Sequence, residues 1–363
     1  MTRKLAHIEV IEDINPIPNA DSIEVVSVLG WHCVAKKGEF SAGDKVIYIE
    51  CDSIVPELPQ YEFLRERKFR VRTIKLRGQV SQGLVLPISS LPENYRGEKS
   101  VGTDVTEALG IIKYDPQLEE EKAETSFAPK SAFDKFMRRF AWYRKLFVKK
   151  TSGKFPAWIK KTDEERIQNM PHILIQYGGK LFEISEKLDG QSATYFLRKS
   201  GRTLFGKKKY EFGVCSRNLR IKTPNNSSWW TVAKNYHMEE VLLNLIGSED
   251  YVVLQGEILG TEIQGNKYKV KNHEFYAFNL LYPNRQTSWM DMVTPLLQHG
   301  ILTVPILYVH AYLPDNVDEM VEISKGKSYI YPKAEREGLV VRNRDLGVSF
   351  KAINPDFLLK NNE

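Results

Sequence analysis

The sequence predicts an α+β chain in which a small β-barrel precedes a larger mixed α+β domain. Three observations carry this expectation. Short alternating strands follow one another through residues 1–112, with no long helical period among them. An acidic stretch and then a basic, aromatic one occupy 113–170. From 171 to 363, strand-like runs alternate with a few helical ones. The 363 residues are 42% hydrophobic and 11% aromatic, enough for two cores, which excludes global disorder.

In the first region, 5–11 and 22–28 alternate apolar and polar residues. Lys45–Ile49 follows the turn signal Ser41-Ala42-Gly43-Asp44, and 69–76 and 83–87 complete the set. Such a run of short strands reads as a small barrel, an OB-fold or an SH3-like one, and the OB-fold is the expectation. The string Leu118-Glu119-Glu120-Glu121-Lys122-Ala123-Glu124, with Pro116 before it and Pro129 after it, reads as a solvated linker or short surface helix at a domain boundary. Next, Phe133, Phe136, Met137, Phe140 and Phe147 recur near helical spacing among Lys135, Arg138, Arg139, Arg144 and Lys145. This suggests a surface helix packed on the second domain. Its basic face offers phosphate contacts, and a membrane surface is the third reading. Beyond 170, strands are expected over 173–177, 181–186, 192–198, 251–258, 274–281, 338–342 and 347–352, and helices over 236–246 and 315–323.

No apolar run approaches the ~20 residues of a membrane helix, and no secretory signal opens the chain. Cys33, Cys51 and Cys215 are an odd number without disulfide or zinc spacing, so an intracellular, reducing compartment is expected, cytoplasm or nucleus.

The chemistry begins at Phe182-Glu183-Ile184-Ser185-Glu186-Lys187-Leu188-Asp189-Gly190. A lysine ending a strand is a nucleophile if an apolar pocket or a neighbouring cation removes its proton. Asp189, two residues on, projects to the same side, where it could hold a metal or its waters. Gly190 lets the backbone turn away without crowding a phosphate. Lys-x-Asp-Gly alone arises by chance in about one such chain in ten. If nothing else followed, a surface charge pair before a turn would be the better reading.

More follows in order. Glu257 sits 70 residues after Lys187, inside the apolar strand Leu254-Gln255-Gly256-Glu257-Ile258. Phe275-Tyr276-Ala277-Phe278 supplies flat rings; Glu337 comes 80 residues after Glu257, and Lys351 lies 14 beyond that. Buried strand acids are costly unless they meet a metal, a hydroxyl or a cation. Two of them with two lysines make a consistent nucleotide site.

These blocks resemble the nucleotidyltransferase motifs of the covalent ligase and mRNA-capping superfamily. Lys187 to Gly190 matches the first motif, and Ser216-Arg217-Asn218 the Ser/Thr-Arg block. Glu257 falls in the third motif, Phe278 in the aromatic block, Glu337 in the fourth and Lys351 in the fifth. Glu186 before the lysine and Ile263-Gln264-Gly265-Asn266-Lys267-Tyr268 favour RNA ligases. DNA ligases and capping enzymes carry an OB domain after the fifth motif; here the chain ends 12 residues past Lys351 and a barrel precedes the catalytic region. The block 70–79 and the block 161–169 look like those of the fifth group of ATP-dependent RNA ligases, which pair an N-terminal OB module with an ATP-grasp-like nucleotidyltransferase domain. The resemblance covers nearly the whole chain.

It implies an OB-fold nucleic-acid module over 1–112, a connector over 113–170 and an adenylation domain over 171–363. It also implies an RNA ligase using ATP with Mg²⁺ or Mn²⁺, sealing a 3′-OH RNA end to a 5′-phosphate in nicked RNA or RNA–DNA duplexes, as a monomer. On this resemblance Lys187 carries the AMP, and Lys351 contacts the α-phosphate and depresses the pKa of Lys187. Asp189, Glu257 and Glu337 hold the metal, partly through waters. Phe278 stacks on adenine, with Glu186 and Leu188 framing the base, and Arg217 and Arg166 contact phosphates. Relatives often carry a second lysine two residues from the fifth-motif one, but Ser349 and Ile353 stand there; Lys333 or Arg344 could assist instead.

Plainer readings compete. Phe278 could be simple core, and Glu337 could pair with Arg336 or Arg342. His172, His237 and His273 lack metal spacing, and Cys215 reads as a buried strand residue. A capping guanylyltransferase, a DNA ligase and a non-catalytic nucleic-acid-binding protein are the rival functions. The five motif residues Lys187, Asp189, Glu257, Glu337 and Lys351 argue against the last of these.

The net charge of +6 hides its distribution. Residues 61–80 carry seven Lys/Arg against two acids, and 131–161 carry ten against one. Arg70, Arg72, Lys75 and Arg77 in the first segment, with Arg138 and Arg139 in the second, are the expected nucleic-acid contacts, with binding that weakens as salt rises.

Overall fold

The computed structural model describes residues 3–114, 132–137, 139–140, 152–202, 208–222 and 224–361. The acidic run 118–124, Phe147, Arg138, Arg144 and Lys145 lie outside the described residues, so the readings placed on them are not resolved. A short helix, Ala132–Met137, opens the basic segment. Phe136 in its last turn meets Phe140, just beyond it, edge to face at 5.7 Å.

The N-terminal module is an OB-like half-barrel. Its antiparallel order is Trp31–Lys36, Ile23–Val28, Ala6–Pro16, Lys45–Ile49, Leu84–Pro87. The central strand breaks register between Ile11 and Asp13, so its first half pairs with Lys45–Ile49 and its second with Ile23–Val28. That irregularity bends one strand across two partners, as closing a barrel requires. Alternation then fills two cores, one around Ile8, Ile47, Tyr61 and Phe69, the other around Ile11, Val28, Trp31 and Tyr48.

The strand expected over 69–76 is broken. Lys68 and Phe69 take positive φ after a 3₁₀ stretch, Pro59–Arg67. Only Arg70–Val71 then pairs with Ser53–Ile54. Ile74–Leu76 instead forms a hairpin with Gln79–Ser81, turned by Arg77 and Gly78, both at positive φ. Two such residues match the twist of a tight hairpin. Trp31–Lys36 was not anticipated as a strand.

The C-terminal region is built on two sheets. The larger runs Ser152–Lys154, Leu219–Ile221, Lys208–Cys215, Gln191–Arg202, Tyr251–Leu259, Glu274–Tyr282, Arg285–Gln286, with Leu302–Thr303 parallel to Glu274–Tyr282. Helices Ser228–Asn235, Met238–Ile246 and Trp289–Leu297 cover one face, packing Trp229, Val241, Leu242 and Met292 against Tyr195, Leu254 and Phe275. The smaller sheet runs Glu165–Arg166, Val348–Ile353, Gly338–Asn343, Phe182–Lys187, Ile306–Ala311. Val317–Ser324 and His172–Tyr177 back it.

The run 173–177 is thus a helix, not the expected strand. Ile173 and Leu174 are buried side by side while Ile175 is 85% exposed, a sequence of exposures that strand alternation does not produce. The helix expected from 236 starts at Met238, because His237 sits at φ 47°. The one expected from 315 is capped at Asn316, whose side chain accepts from the Glu319 amide. Among the described residues, no helix is long and apolar enough to cross a membrane.

The two modules are joined by polar contacts. Trp31 Nε1 donates to Asn169 Oδ1 at 2.6 Å, and Asn169 Nδ2 donates to Glu50 at 2.6 Å. The Gly30 amide donates to the Gln168 carbonyl at 3.0 Å. Arg166, 4% exposed, donates to Asp52 at 3.2 Å with its guanidinium over Trp31. The OB-like module therefore sits against the strand that carries Arg166, next to the one that carries Lys351.

Candidate active site

Between the two sheets lies a cavity of about 180 Å³. Glu186, Lys187, Glu337, Arg342 and Lys351 line it from the smaller sheet and its edges, and Ser192, Glu257 and Phe278 from the larger. Asp163, Asp189 and Arg217 also line it, as does Leu188, which belongs to an apolar cluster with Leu259, Tyr268 and Tyr276. Lys187, Asp189, Arg217, Glu337 and Lys351 also line a larger cavity of about 470 Å³ against the OB-like module, with Arg3, Arg70, Lys113 and Arg166. Motif residues spread over 165 positions of sequence share one space.

Strand alternation delivers the lysine. Phe182 and Ile184 point into the apolar core, so Lys187 at the strand's end projects the other way. It is paired with Gly338, which places Glu337 beside it, and Lys187 Nζ stands 2.5 Å from Glu337 Oε1. Arg336 spends its guanidinium on the carbonyls of Ser324 and Ile323, and Arg342 pairs with Glu164 at 2.8 Å. Glu337 is therefore not the surface partner of either arginine. Burial pulls the Lys187 ammonium down, but the carboxylates of Glu337, Glu257 and Asp189 outweigh it, and its pKa is raised. In this state Lys187 is an ammonium, not yet a nucleophile.

Glu257 shows the cost of burying an acid in an apolar strand. Burial, and then the neighbouring Glu337 and Asp189, push its carboxyl up to about 8 against the attraction of Lys187. Lys351 moves the other way. Burial, with Arg3, Lys187 and Arg166 nearby, lowers it to about 8 while Asp163 holds it up. Burial likewise raises Glu186, whose Oε2 accepts from the Tyr329 amide at 2.9 Å.

Asp189 is held by partners the sequence did not single out. Its amide donates to Tyr268 Oη at 2.8 Å, and its carboxylate meets Lys267 Nζ at 2.5 Å. Both residues lie in the block 263–268, quoted above for its likeness only. Asp163 was missed in the same way, although it accepts from Arg217, Lys351 and Lys113. Neither Lys333 nor Arg344 supplements Lys351. Lys333 is exposed, and Arg344 is tied to Glu183 at 2.9 Å and to Asn279 at 3.1 Å. The cations gathered with Lys351 are Arg217 and Lys113.

Arg166 lines the interdomain cavity while its NH2 holds Asp52; its buried Nε and NH1 have no hydrogen-bond partner among the described residues. Phe278 is half-buried, facing the cavity with Arg342 5.6 Å from its ring centre. Of the expected nucleic-acid contacts, Arg70 is tied to Asp52 at 2.7 Å and lies over Tyr114, lining the interdomain cavity. Arg72 is half-buried; Lys75 and Arg77 stand exposed on the hairpin, and Arg139 is exposed.

The donor set fits a hard divalent cation. Glu337 Oε2 is buried without a hydrogen-bond partner among the described residues, and Glu337 lines the same cavity as Glu257 and Asp189. Among the described residues no group of three His, Cys, Asp or Glu is arranged to hold a metal ion by itself.

Comparisons agree with this geometry. An OB-fold domain profile matches residues 5–88, and an RNA ligase profile matches residues 180–353. The structure of a Naegleria gruberi RNA ligase with PPi superposes with a TM-score of 0.80 at 34% identity, covering 98% of each chain. A mutant of that enzyme with ATP and Mn gives 0.81 at 32% identity, over 99% of this chain and 100% of that one. Another mutant, with AMP and Mn, gives 0.80 at 33% identity over 98% of each. No curated protein sequence matches the chain. Likeness at this identity over both modules, with the two acids and two lysines in one cavity, places the chain in the RNA ligase family, with an OB-fold module ahead of its nucleotidyltransferase domain.

Proposed function

We propose that this enzyme is an ATP-dependent RNA ligase that joins a 3′-OH RNA end to a 5′-phosphate at nicks in RNA or RNA–DNA duplexes, acting as a monomer in RNA repair. The observation that carries the reading is the contact of Lys187 Nζ with Glu337 Oε1, in a cavity shared with Glu257, Lys351 and Phe278. The structures of the Naegleria gruberi enzyme with ATP and Mn, with AMP and Mn and with PPi support ATP and a divalent cation as its reactants.

Lys187 Nζ loses a proton, for which Glu337 Oε1 is the acceptor in reach, and attacks the α-phosphate of ATP. A P–N bond forms as the P–O bond to pyrophosphate breaks. The AMP then passes to the 5′-phosphate, making a phosphoanhydride. Finally the 3′-OH attacks that phosphate and AMP leaves. Each displacement builds negative charge on phosphate oxygens, so fixed cations contribute most to catalysis. Lys351 and Arg217 supply them, Arg166 adds a buried donor, and Phe278 offers a ring face to adenine from the opposite sheet. A divalent cation held by Glu337, Glu257 and Asp189, partly through waters, would neutralise the carboxylates that keep Lys187 protonated and would polarise the α-phosphate.

The open interdomain cavity and the exposed Lys75 and Arg77 support a duplex lying across both modules. The cysteines are buried and unpaired with one another, in keeping with a reducing compartment, cytoplasm or nucleus. The test is sealing of four nicked duplexes that differ only at the nick: an RNA 3′-OH, a DNA 3′-OH and a 3′-deoxy end, each facing a 5′-phosphate, and an RNA 3′-OH facing a 5′-hydroxyl. Joining of the 3′-OH RNA, 5′-phosphate nick is expected. A 3′-deoxy end and a 5′-hydroxyl should not be sealed. Equal joining of DNA and RNA 3′-OH ends would argue for a DNA ligase instead.

A further inference from the structure

Asp163 stands where the two cavities meet. It lines one with Lys187, Glu257 and Lys351 and the other with Arg3, Arg70 and Lys113. Its Oδ1 lies 2.9 Å from an Arg217 guanidinium nitrogen and 3.4 Å from Lys351 Nζ, and its Oδ2 lies 3.5 Å from Lys113 Nζ. Three cations from three segments converge on a single carboxylate, one of them, Lys113, on a strand paired with Ser53–Ile54 of the OB-like module. Each of these cations would serve a phosphate better, since a phosphate offers more charge and more oxygens in the same volume.

Burial raises the Asp163 carboxyl, but Lys351, Arg217 and Lys113 outweigh it and hold it well below the usual range. The carboxylate is therefore charged wherever the enzyme works. It is also the most exposed member of the group, at 39% against 12% for Lys351 and 27% for Arg217. Lys113 follows at 33%, so the carboxylate and Lys113 form the solvent side of the group, while Arg217 and Lys351 are the more enclosed.

We propose that Asp163 is a built-in competitor for phosphate: its carboxylate holds Arg217, Lys351 and Lys113 in place until the polyphosphate of the nucleotide displaces it. Asp163 thereby sets the apparent affinity for ATP. It is a positioning residue, since it acts on phosphate only through the three cations. The inference rests on Lys351 and Arg217 binding phosphate, as proposed above.

The test is the kinetics of self-adenylylation by Asp163→Asn and Asp163→Glu, measured below neutral pH so that Lys351 keeps its proton. With the competing charge gone, Asp163→Asn should lower the KM for ATP and the inhibition constant of inorganic pyrophosphate by about fivefold, the scale of a lost, partly exposed ion pair. Asp163→Glu, which keeps the anion, should retain the wild-type values. An unchanged or raised KM in Asp163→Asn overturns the proposal.

Should Asp163→Asn fail to fold, the structure of Lys187→Ala with ATP decides. Asp163 out of hydrogen-bond distance of Arg217 and Lys351, with phosphate oxygens in its place, supports the proposal. Asp163 still bonded to both overturns it. Wild-type enzyme that takes no label from ATP would defeat the ligase reading itself; normal labelling without a tighter Asp163→Asn defeats only this inference.

Discussion

Gly190 and Ile258 approach so closely that a Cβ built on Gly190 would stand 2.4 Å from the Ile258 carbonyl oxygen and 2.9 Å from Glu257 Cγ. Antiparallel pairing of Gln191 with Ile258 and Ser192 with Glu257 creates this approach. The glycine lets the loop after Lys187 press against the strand that carries Glu257, which the phosphate-clearance reading of the sequence did not anticipate. It couples the nucleophile on one sheet to an acid on the other.

Gly190→Ala must therefore push the loop and the Glu257 strand apart, since backbone cannot yield as a flexible side-chain end can. A displacement of this kind is expected to slow self-adenylylation by ~100-fold. Binding of nicked duplex should be unaffected, which separates misplacement from unfolding. Single-turnover adenylylation and a duplex-binding titration check both halves. A Gly190→Ala enzyme with wild-type adenylylation would mean that Lys187 and Glu257 need no such coupling.

Glu257 pays for its position in stability. Its carboxyl is raised to about 8 in the fold, from an ordinary value of 4.5. A group whose folded pKa is raised supports folding while protonated, and that support drains away as pH climbs from the unfolded value through the folded one. Glu257→Gln keeps the shape and removes the charge. Its Tm should match wild type near about pH 5 and exceed it by ~3 °C near about pH 8, with adenylylation lost throughout. A Tm difference that does not grow between these pH values would show that Glu257 carries no such strain.

The hairpin Ile74–Leu76 with Gln79–Ser81 presents Lys75 and Arg77 to solvent, away from the nucleotide cavity. Replacing both with alanine should leave ATP-dependent adenylylation intact and weaken nicked-duplex binding. The slope of log affinity against log salt should fall by about two, one for each lost phosphate contact. An unchanged slope would remove the hairpin from the duplex path.

The sequence made some features legible and hid others for physical reasons. Lys187, Glu257 and Lys351 could be read because each sits in a short strand among apolar residues, where a charge is costly and so conspicuous, and Glu337 because it stands directly before the apolar strand Gly338–Asn343. The OB-like module could be read because its strands alternate. The 69–76 strand was overread because the positive φ at Lys68 and Phe69 leaves no mark in residue type. The helix at His172–Tyr177 is too short to display a helical period. Asp163 and Lys267 look like ordinary surface charges in sequence. Their meaning comes from partners far along the chain, Lys351 for the one and Asp189 for the other.

The central claim is that Lys187 carries the AMP. Incubation with α-labelled ATP and Mg²⁺ or Mn²⁺, followed by peptide mapping, tests it most directly. The account predicts one labelled peptide containing Lys187, no label in Lys187→Ala, and none from α-labelled GTP. Label on another residue, or from GTP alone, would contradict it.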